Sequence, residues 1–178
     1  MHKDIEKILV SEKEIEGFVN TLAKQIEKDY NGKEFVMIGL LKGSISFMVD
    51  IMKKVNLDFA IDFMVASSYG SATESSGNVE IKKDVSMPIA NKDILIIEDI
   101  IDSGNTLSFI VKYLLSKGAN SVKICTLFDK PLRRKVDIKP DYSGMIVPDE
   151  FIVGYGLDYD EKYRNLPYVG ILKRSVYS

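Results

Sequence analysis

The stretch Ile94–Leu107, "ILIIEDIIDSGNTL", decides the fold. Four apolar residues precede the acidic pair Glu98-Asp99, two more lead to Asp102, and the small polar run Ser103-Gly104-Asn105-Thr106 follows. A short uninterrupted apolar run reads as a strand buried on both faces of a parallel sheet. Leu107, Ile110, Val111, Leu114 and Leu115 then recur at helical spacing, and Gly118 supplies a stop. The acids are therefore expected at the carboxyl end of a strand, just ahead of a helix N-terminus.

Working outward, the same alternation repeats. "SEKEIEGFVNTLAKQIEKDYNG" (11–32) opens with Ser11 and Glu14 at capping-box spacing and carries Ile15, Phe18, Val19, Leu22 and Ile26 on one stripe. "FVMIGLL" (35–41) reads as a buried strand and "KGSISFMVDIMKKV" (42–55) as a helix. "DFAIDFMVASS" (58–68) and "SVKICTLFD" (121–129) supply further strands, with "YGSATESSGN" (69–78) as an unanchored loop expected to be mobile. Strands alternating with helices imply right-handed crossovers, so the expected fold is three-layer α/β with a parallel sheet covered on both faces. After "KPLRRKVDIKPDY" (130–142) the regularity gives way to "GMIV" and "FIVGYG", expected to cap the sheet as a small hood together with the N-terminus. No internal repeat or linker divides the chain, which reads as one domain over 1–178.

Composition narrows the chemistry. The 178 residues are 46% hydrophobic and 28% charged, with a formal net charge of −2, so no global attraction to nucleic acid or anionic membrane is expected. No apolar run approaches membrane-spanning length and the charged start does not resemble a secretory signal, so a cytoplasmic protein is expected. The single cysteine, Cys125, lies within "VKICTLF" and reads as core. The single histidine, His2, lies at a terminus expected to be loose, which disfavours histidine catalysis. "GLLKGS" lacks Walker A spacing and "GYGLDY" is not a dinucleotide fingerprint.

In an open parallel sheet, ligands lie beyond the carboxyl ends of the strands, where Glu98, Asp99 and Asp102 fall. The helix N-terminus after "DSGNT" offers amides to a phosphate, Ser103 and Thr106 add hydroxyls, and Gly104 permits close approach. Three acids beside a phosphate would repel it, unless the phosphate meets the amides while the acids face something else. A sugar-phosphate satisfies both, with Glu98 and Asp99 accepting from ribose hydroxyls directly or through Mg²⁺, a hard cation suited to oxygen ligands. The plainer alternative is that the acids only complement the helix dipole from an exposed turn.

This stretch resembles the phosphoribosyl-diphosphate signature of the type I phosphoribosyltransferases. "KPDYSGMIVPDEFIVGYGLDYDEKYRNLPYVGIL" (139–172) is similar to the tail of the hypoxanthine-guanine members, and "LLKGS" and "ASSYGS" resemble two further loops of that family. The resemblance implies the type I phosphoribosyltransferase fold and transfer of a phosphoribosyl group from phosphoribosyl diphosphate to a 6-oxopurine, with Mg²⁺. It also implies a homodimer or homotetramer without nucleic-acid or membrane partners.

By position in the motifs, Asp102 is the implied general base for purine N7, with Glu98, Asp99, Asp102, Ser103, Gly104, Asn105 and Thr106 around the phosphoribosyl group. Lys139 is implied against O6, Phe151 stacked on the purine, Ile152 reading its edge through the backbone, and Asp158 beside the base and metal. The implied metal contacts are Glu98, Asp99 and Asp158. Leu41, Lys42, Gly43 and Arg164 would hold pyrophosphate, with a cis peptide at Leu41–Lys42, and Ser68 and Tyr69 would lead a lid. Taken alone, "LLKGS" is an ordinary strand-to-helix connection, Lys139 a solvated lysine, and "KPLRRKV" a solvated connector. A xanthine-preferring enzyme and a non-catalytic nucleic-acid-binding regulator remain the alternatives, the second requiring a basic face.

Overall fold

The computed structural model describes residues 1–68 and 79–177. Strand β1 (Ile5–Val10) leads into α1 (Glu12–Tyr30), β2 (Phe35–Leu40), α2 (Ile45–Lys54), β3 (Ala60–Ser68) and β4 (Val79–Lys83). The chain continues through β5 (Asp93–Ile101), α3 (Asn105–Ser116), β6 (Ser121–Asp129), a 3-10 turn at Pro131–Arg133 and β7 (Tyr142–Ile146). Strands β8 (Ile152–Val153) and β9 (Val169–Leu172) and the short helix α4 (Arg174–Tyr177) follow.

The main sheet has the order β4-β3-β2-β5-β6-β7. Strands β3, β2, β5, β6 and β7 are mutually parallel, as the repeated strand-helix alternation implies. Alternation along the buried strands feeds two cores. Met37, Leu95, Ile97 and Leu127 pack with α1 and α2, whereas Val36, Ile38, Ile94 and Ile96 pack with Leu107, Ile110 and Leu114 of α3. Cys125 lies in the first core, and burial pushes its thiol well above the usual range, consistent with a packing role. Strands β1, β9 and β8 form a separate antiparallel sheet, so the hood takes a strand from near each end of the described chain.

Several expectations need correction. The edge strand β4 runs antiparallel to β3, so the sheet is parallel except at that edge. The charged start contains β1, whose Ile5 and Val10 are buried between charged, outward positions. His2 is tied rather than loose: its backbone amide donates to the Tyr168 hydroxyl at 2.8 Å and its ring meets Tyr163 edge-on at 5.3 Å. Strand β5 runs on to Ile101, so Glu98 and Asp99 lie inside the strand and only Asp102 lies beyond it.

The strand order reverses between the parallel neighbours β2 and β5. The β2 crossover leads to β3 on one side and the β5 crossover to β6 on the other, making this pair the switch point where ligands bind in open α/β sheets. With Gly39 opposite Ile97, the loop after β2 rises beside Glu98 and Asp99. No helix among the described residues is long and apolar enough to cross a membrane.

The α1 start carries both arms of its capping box, with the Ser11 hydroxyl accepting from the Glu14 amide and the Glu14 carboxylate accepting from the Ser11 amide at 2.8 Å. Ser11→Ala should cost about 1 kcal/mol. Thermal unfolding should show a midpoint roughly 2–4 °C lower for a chain of this size.

Candidate functional site

Glu98 and Asp99 define the floor of the site. Glu98 Oε2 is shut off from solvent and has no hydrogen-bond partner, while Asp99 Oδ1 accepts from the Ile100 amide at 2.8 Å. Burial drives both carboxyls upward, the Asp99 charge adds to the rise at Glu98, and Asp99 reaches about 6. A side chain on Gly43 would collide with the Asp99 carboxylate, so the loop after β2 can lie over the acid only because it has a glycine there. The Leu41–Lys42 peptide is cis, as the resemblance implies.

The expected phosphate cradle is the start of α3. Gly104 adopts the left-handed conformation at φ 81°, and a Cβ there would stand 2.6 Å from Ile138 Cγ2. No side chain caps α3; the Asn105 amide reaches only Ser103 Oγ, at 3.4 Å, leaving the first turn suited to an incoming anion. Thr106 is half-buried in that turn.

A cavity of about 340 Å³ adjoins this loop, with Ile100, Asp102, Lys130, Phe151, Ile152 and Leu157 in its wall and Asp158 at its edge. Asp102 is exposed there, and its Oδ2 lies 3.5 Å from Arg133 Nη1. Lys130 is only 6% exposed, and its ammonium donates to the Glu150 carbonyl at 2.6 Å. Burial, with neighbouring Arg133, pulls the Lys130 ammonium below its ordinary range, partly offset by Asp102.

Lys139 is exposed and does not line that cavity, whereas Lys130 does. Lys130 was missed because "KPLRRKV" reads as a solvated connector. Its readable signal was position: it stands just past the carboxyl end of β6, beside β5 in the sheet. Two further cations of that connector are paired, Arg133 to Asp102 and Asp149 and Arg134 to Asp129.

Arg164 reaches the site from the hood. Its Nη1 lies 3.0 Å from Asp158 Oδ1 and donates to the Gly156 carbonyl at 2.7 Å. Its Nε is buried without a partner. Glu161, not singled out by the sequence, binds both expected pyrophosphate cations: Lys42 Nζ at 3.0 Å and Arg164 Nη2 at 3.3 Å. Ser68 ends β3, whereas Tyr69 and the remainder of the expected lid lie outside the described residues.

The expected metal contacts do not form a ready cage. Among the described residues no three His, Cys, Asp or Glu side chains are grouped to hold a metal, and the Asp158 oxygens are engaged by Arg164 and the Glu161 amide. The orphaned Glu98 oxygen and adjacent Asp99 nonetheless fit a hard cation such as Mg²⁺, which commonly takes one or two carboxylates and completes its shell with water and phosphate oxygens.

The phosphoribosyl transferase domain family matches residues 7–160. Over all 178 residues the chain is 52% identical to the hypoxanthine-guanine phosphoribosyltransferase of Staphylococcus aureus, covering 99% of that relative. The chain belongs to this family. A crystal structure of a Staphylococcus aureus hypoxanthine phosphoribosyltransferase superposes with a TM-score of 0.97, covering 100% of this chain and 97% of the other. The hypoxanthine-guanine phosphoribosyltransferase hpt-2 from Bacillus anthracis has a TM-score of 0.88 at 44% identity, covering 95% and 99%.

The raised Asp99 carboxyl has a definite sign in the pH dependence. Its folded-state value, about 6, lies above the ordinary 3.8, so the folded state holds the proton more tightly and loses stability as pH rises through that interval. In metal-free buffer Asp99→Asn should therefore melt higher than wild type at about pH 7.5, and the difference should shrink as pH falls toward about 4. Melting curves across that range check it.

Proposed function

We propose that the protein transfers the 5-phosphoribosyl group of phosphoribosyl diphosphate to hypoxanthine or guanine, giving IMP or GMP and pyrophosphate. In this reading it is a cytoplasmic, Mg²⁺-dependent salvage enzyme, one domain over 1–178, working as a homodimer or homotetramer. The observation that carries the proposal is the shared wall of Asp102, Lys130 and Phe151 beside the uncapped start of α3. One pocket thus offers a proton acceptor, a 6-oxo donor and a stacking ring next to a phosphate cradle.

Purine N9 attacks C1′ as the bond from C1′ to the diphosphate oxygen breaks, and that electron pair leaves with pyrophosphate. Asp102 takes the N7 proton as positive charge builds on the base, which requires its carboxylate to leave Arg133. Amides of Ser103–Thr106 hold the 5′-phosphate, and Glu98 and Asp99 accept from the ribose hydroxyls. When bound, Mg²⁺ would supply charge neutralisation on the diphosphate, held by Glu98 and Asp99 with ligand oxygens completing its shell. Arg164 and the Leu41–Lys42–Gly43 loop receive the leaving group once Glu161 releases its cations.

Lys130 donates to the 6-oxo group. Adenine places an amino group there, which gives the ammonium no acceptor and leaves a desolvated donor unpaired. Phe151 stacks on the ring and the Ile152 backbone meets its edge. Against a nucleic-acid-binding role, three of the four cations in this connector are already engaged, Arg133 and Arg134 with acids and Lys130 with a carbonyl.

The test is pyrophosphate release with phosphoribosyl diphosphate and Mg²⁺, offering hypoxanthine, guanine, xanthine and adenine separately. Turnover with hypoxanthine or guanine and none with adenine is expected; silence with every base would overturn the proposal. Asp102→Asn should lower kcat by roughly 10²–10⁴-fold with diphosphate binding retained. Lys130→Ala should raise KM for hypoxanthine at least about tenfold, as loss of a charged hydrogen bond demands, whereas Lys139→Ala should leave it near wild type.

A further inference from the structure

Phe151 stands immediately before β8, a strand of only two residues. Its carbonyl accepts from the Leu172 amide at 2.8 Å, yet its ring borders the cavity and the residue is 37% exposed. Two tyrosines hold that ring. Tyr177 lies nearly parallel to it, with centroids 4.8 Å apart and planes 25° apart, while Tyr159 meets it edge-on at 5.4 Å and 88°. Tyr159 and Tyr177 are themselves 6.4 Å apart, which closes an aromatic triad, and Tyr177 also borders the cavity.

We infer that Tyr177 is a positioning residue for the purine: it backs one face of Phe151 so that the opposite face meets the base at a fixed angle. The inference rests on the 6-oxopurine reading above and adds a specificity element to it. An aromatic ring has two faces, and Tyr177 covers one. A stacking base therefore takes the other, giving a layered Tyr177–Phe151–base arrangement with the offset geometry aromatic pairs prefer.

The local chain secures Tyr177 by means unrelated to stacking. The Lys173 amide donates to the Asp4 carbonyl at 2.9 Å, and the Val176 amide donates to the Lys173 carbonyl at 3.0 Å. Lys173 Nζ adds a bond to the Lys3 carbonyl at 2.6 Å. Val176 and Tyr177 pack against Ile5, Val153 and Leu172 of the hood. Both edges of the hood sheet thus fix the ring that fixes Phe151. A ring held before the ligand arrives loses less freedom on binding, so the benefit falls on affinity for the base.

The test compares Tyr177→Ala and Tyr177→Phe in steady-state pyrophosphate release. Tyr177→Ala should raise KM for hypoxanthine roughly three- to tenfold, the range aromatic pair energies imply. Its kcat and its KM for phosphoribosyl diphosphate should stay within about twofold of wild type, a split that general destabilisation would not produce. Tyr177→Phe should retain the wild-type KM, because stacking needs the ring and not the hydroxyl. An unchanged hypoxanthine KM in Tyr177→Ala overturns the inference, as do equal losses for both substrates or failure of Tyr177→Phe. A lowered KM also overturns it and would mean that the ring obstructs the pocket. Wild-type silence with hypoxanthine and guanine would sink the underlying reading and this inference with it; wild-type turnover matched by Tyr177→Ala would sink the inference alone.

Discussion

Two adjacent carboxylates inside a buried strand are electrostatically awkward, and the surroundings of Glu98 and Asp99 show how they are tolerated. They lie in a strand of a sheet covered on both faces, with Glu98 opposite Thr126 of β6, while Glu98 Oε2 is shut off from solvent and has no hydrogen-bond donor. Desolvation disfavours the charged form of each, and mutual repulsion adds to the rise at Glu98. The Ile100 amide and the positive charge of Arg164 relieve Asp99 in part. The ligand-free protein therefore carries a local deficit that a cation or a set of sugar hydroxyls would remove. Strain of this kind belongs at a site whose ligand supplies the missing partners.

That deficit links parts of the molecule distant in sequence. Gly43 covers Asp99, and the Gly43 carbonyl in turn lies against Gly156, so closely that a Cβ at Gly156 would overlap it. Gly156 holds φ at 99°, and its carbonyl accepts from Arg164. The loop after β2 is thus pressed between the acidic strand and the hood, with glycine at both contacts. Glu161 completes the arrangement by binding Lys42 and Arg164 through the same oxygen, and these hydrogen bonds hold its carboxyl below the usual range. An internal carboxylate sits on the two cations that a diphosphate would need.

The central sheet was legible because period and capping act locally. The Ile94–Ile97 run, the Ser11–Glu14 box and the stripe along α3 each report a neighbour a few residues away, and these elements form where the sequence indicates. Strand β1 was hidden by charge, since an edge strand of a small hood needs only Ile5 and Val10 buried. Strand β4 was hidden because only Val79 and Ile81 of its five residues are apolar. At the site, the acidic run and the α3 cradle were readable since one continuous segment supplies both. The cavity wall proposed for the purine was not, because it joins β5, the turn after β6 and the hood. Lys139 and Lys130 both precede proline, and nothing local in the sequence distinguishes the buried lysine from the exposed one.

The connector after β6 shows why burial, more than residue type, decides such a choice. Its cations would repel one another if they shared a dry pocket, yet three of the four meet an opposing group: Arg134 meets Asp129, Arg133 meets Asp102 and Asp149, and Lys130 meets the Glu150 carbonyl. Lys130 is the most buried of them, and burial lowers its proton affinity accordingly. A donor already desolvated by the protein gains most from an acceptor and loses most without one. On the proposed reading, discrimination between a 6-oxo and a 6-amino purine would follow from where the backbone buries this lysine, and Asp102, which lines the same cavity and contributes to the lysine's charge balance, would take a proton from the same base.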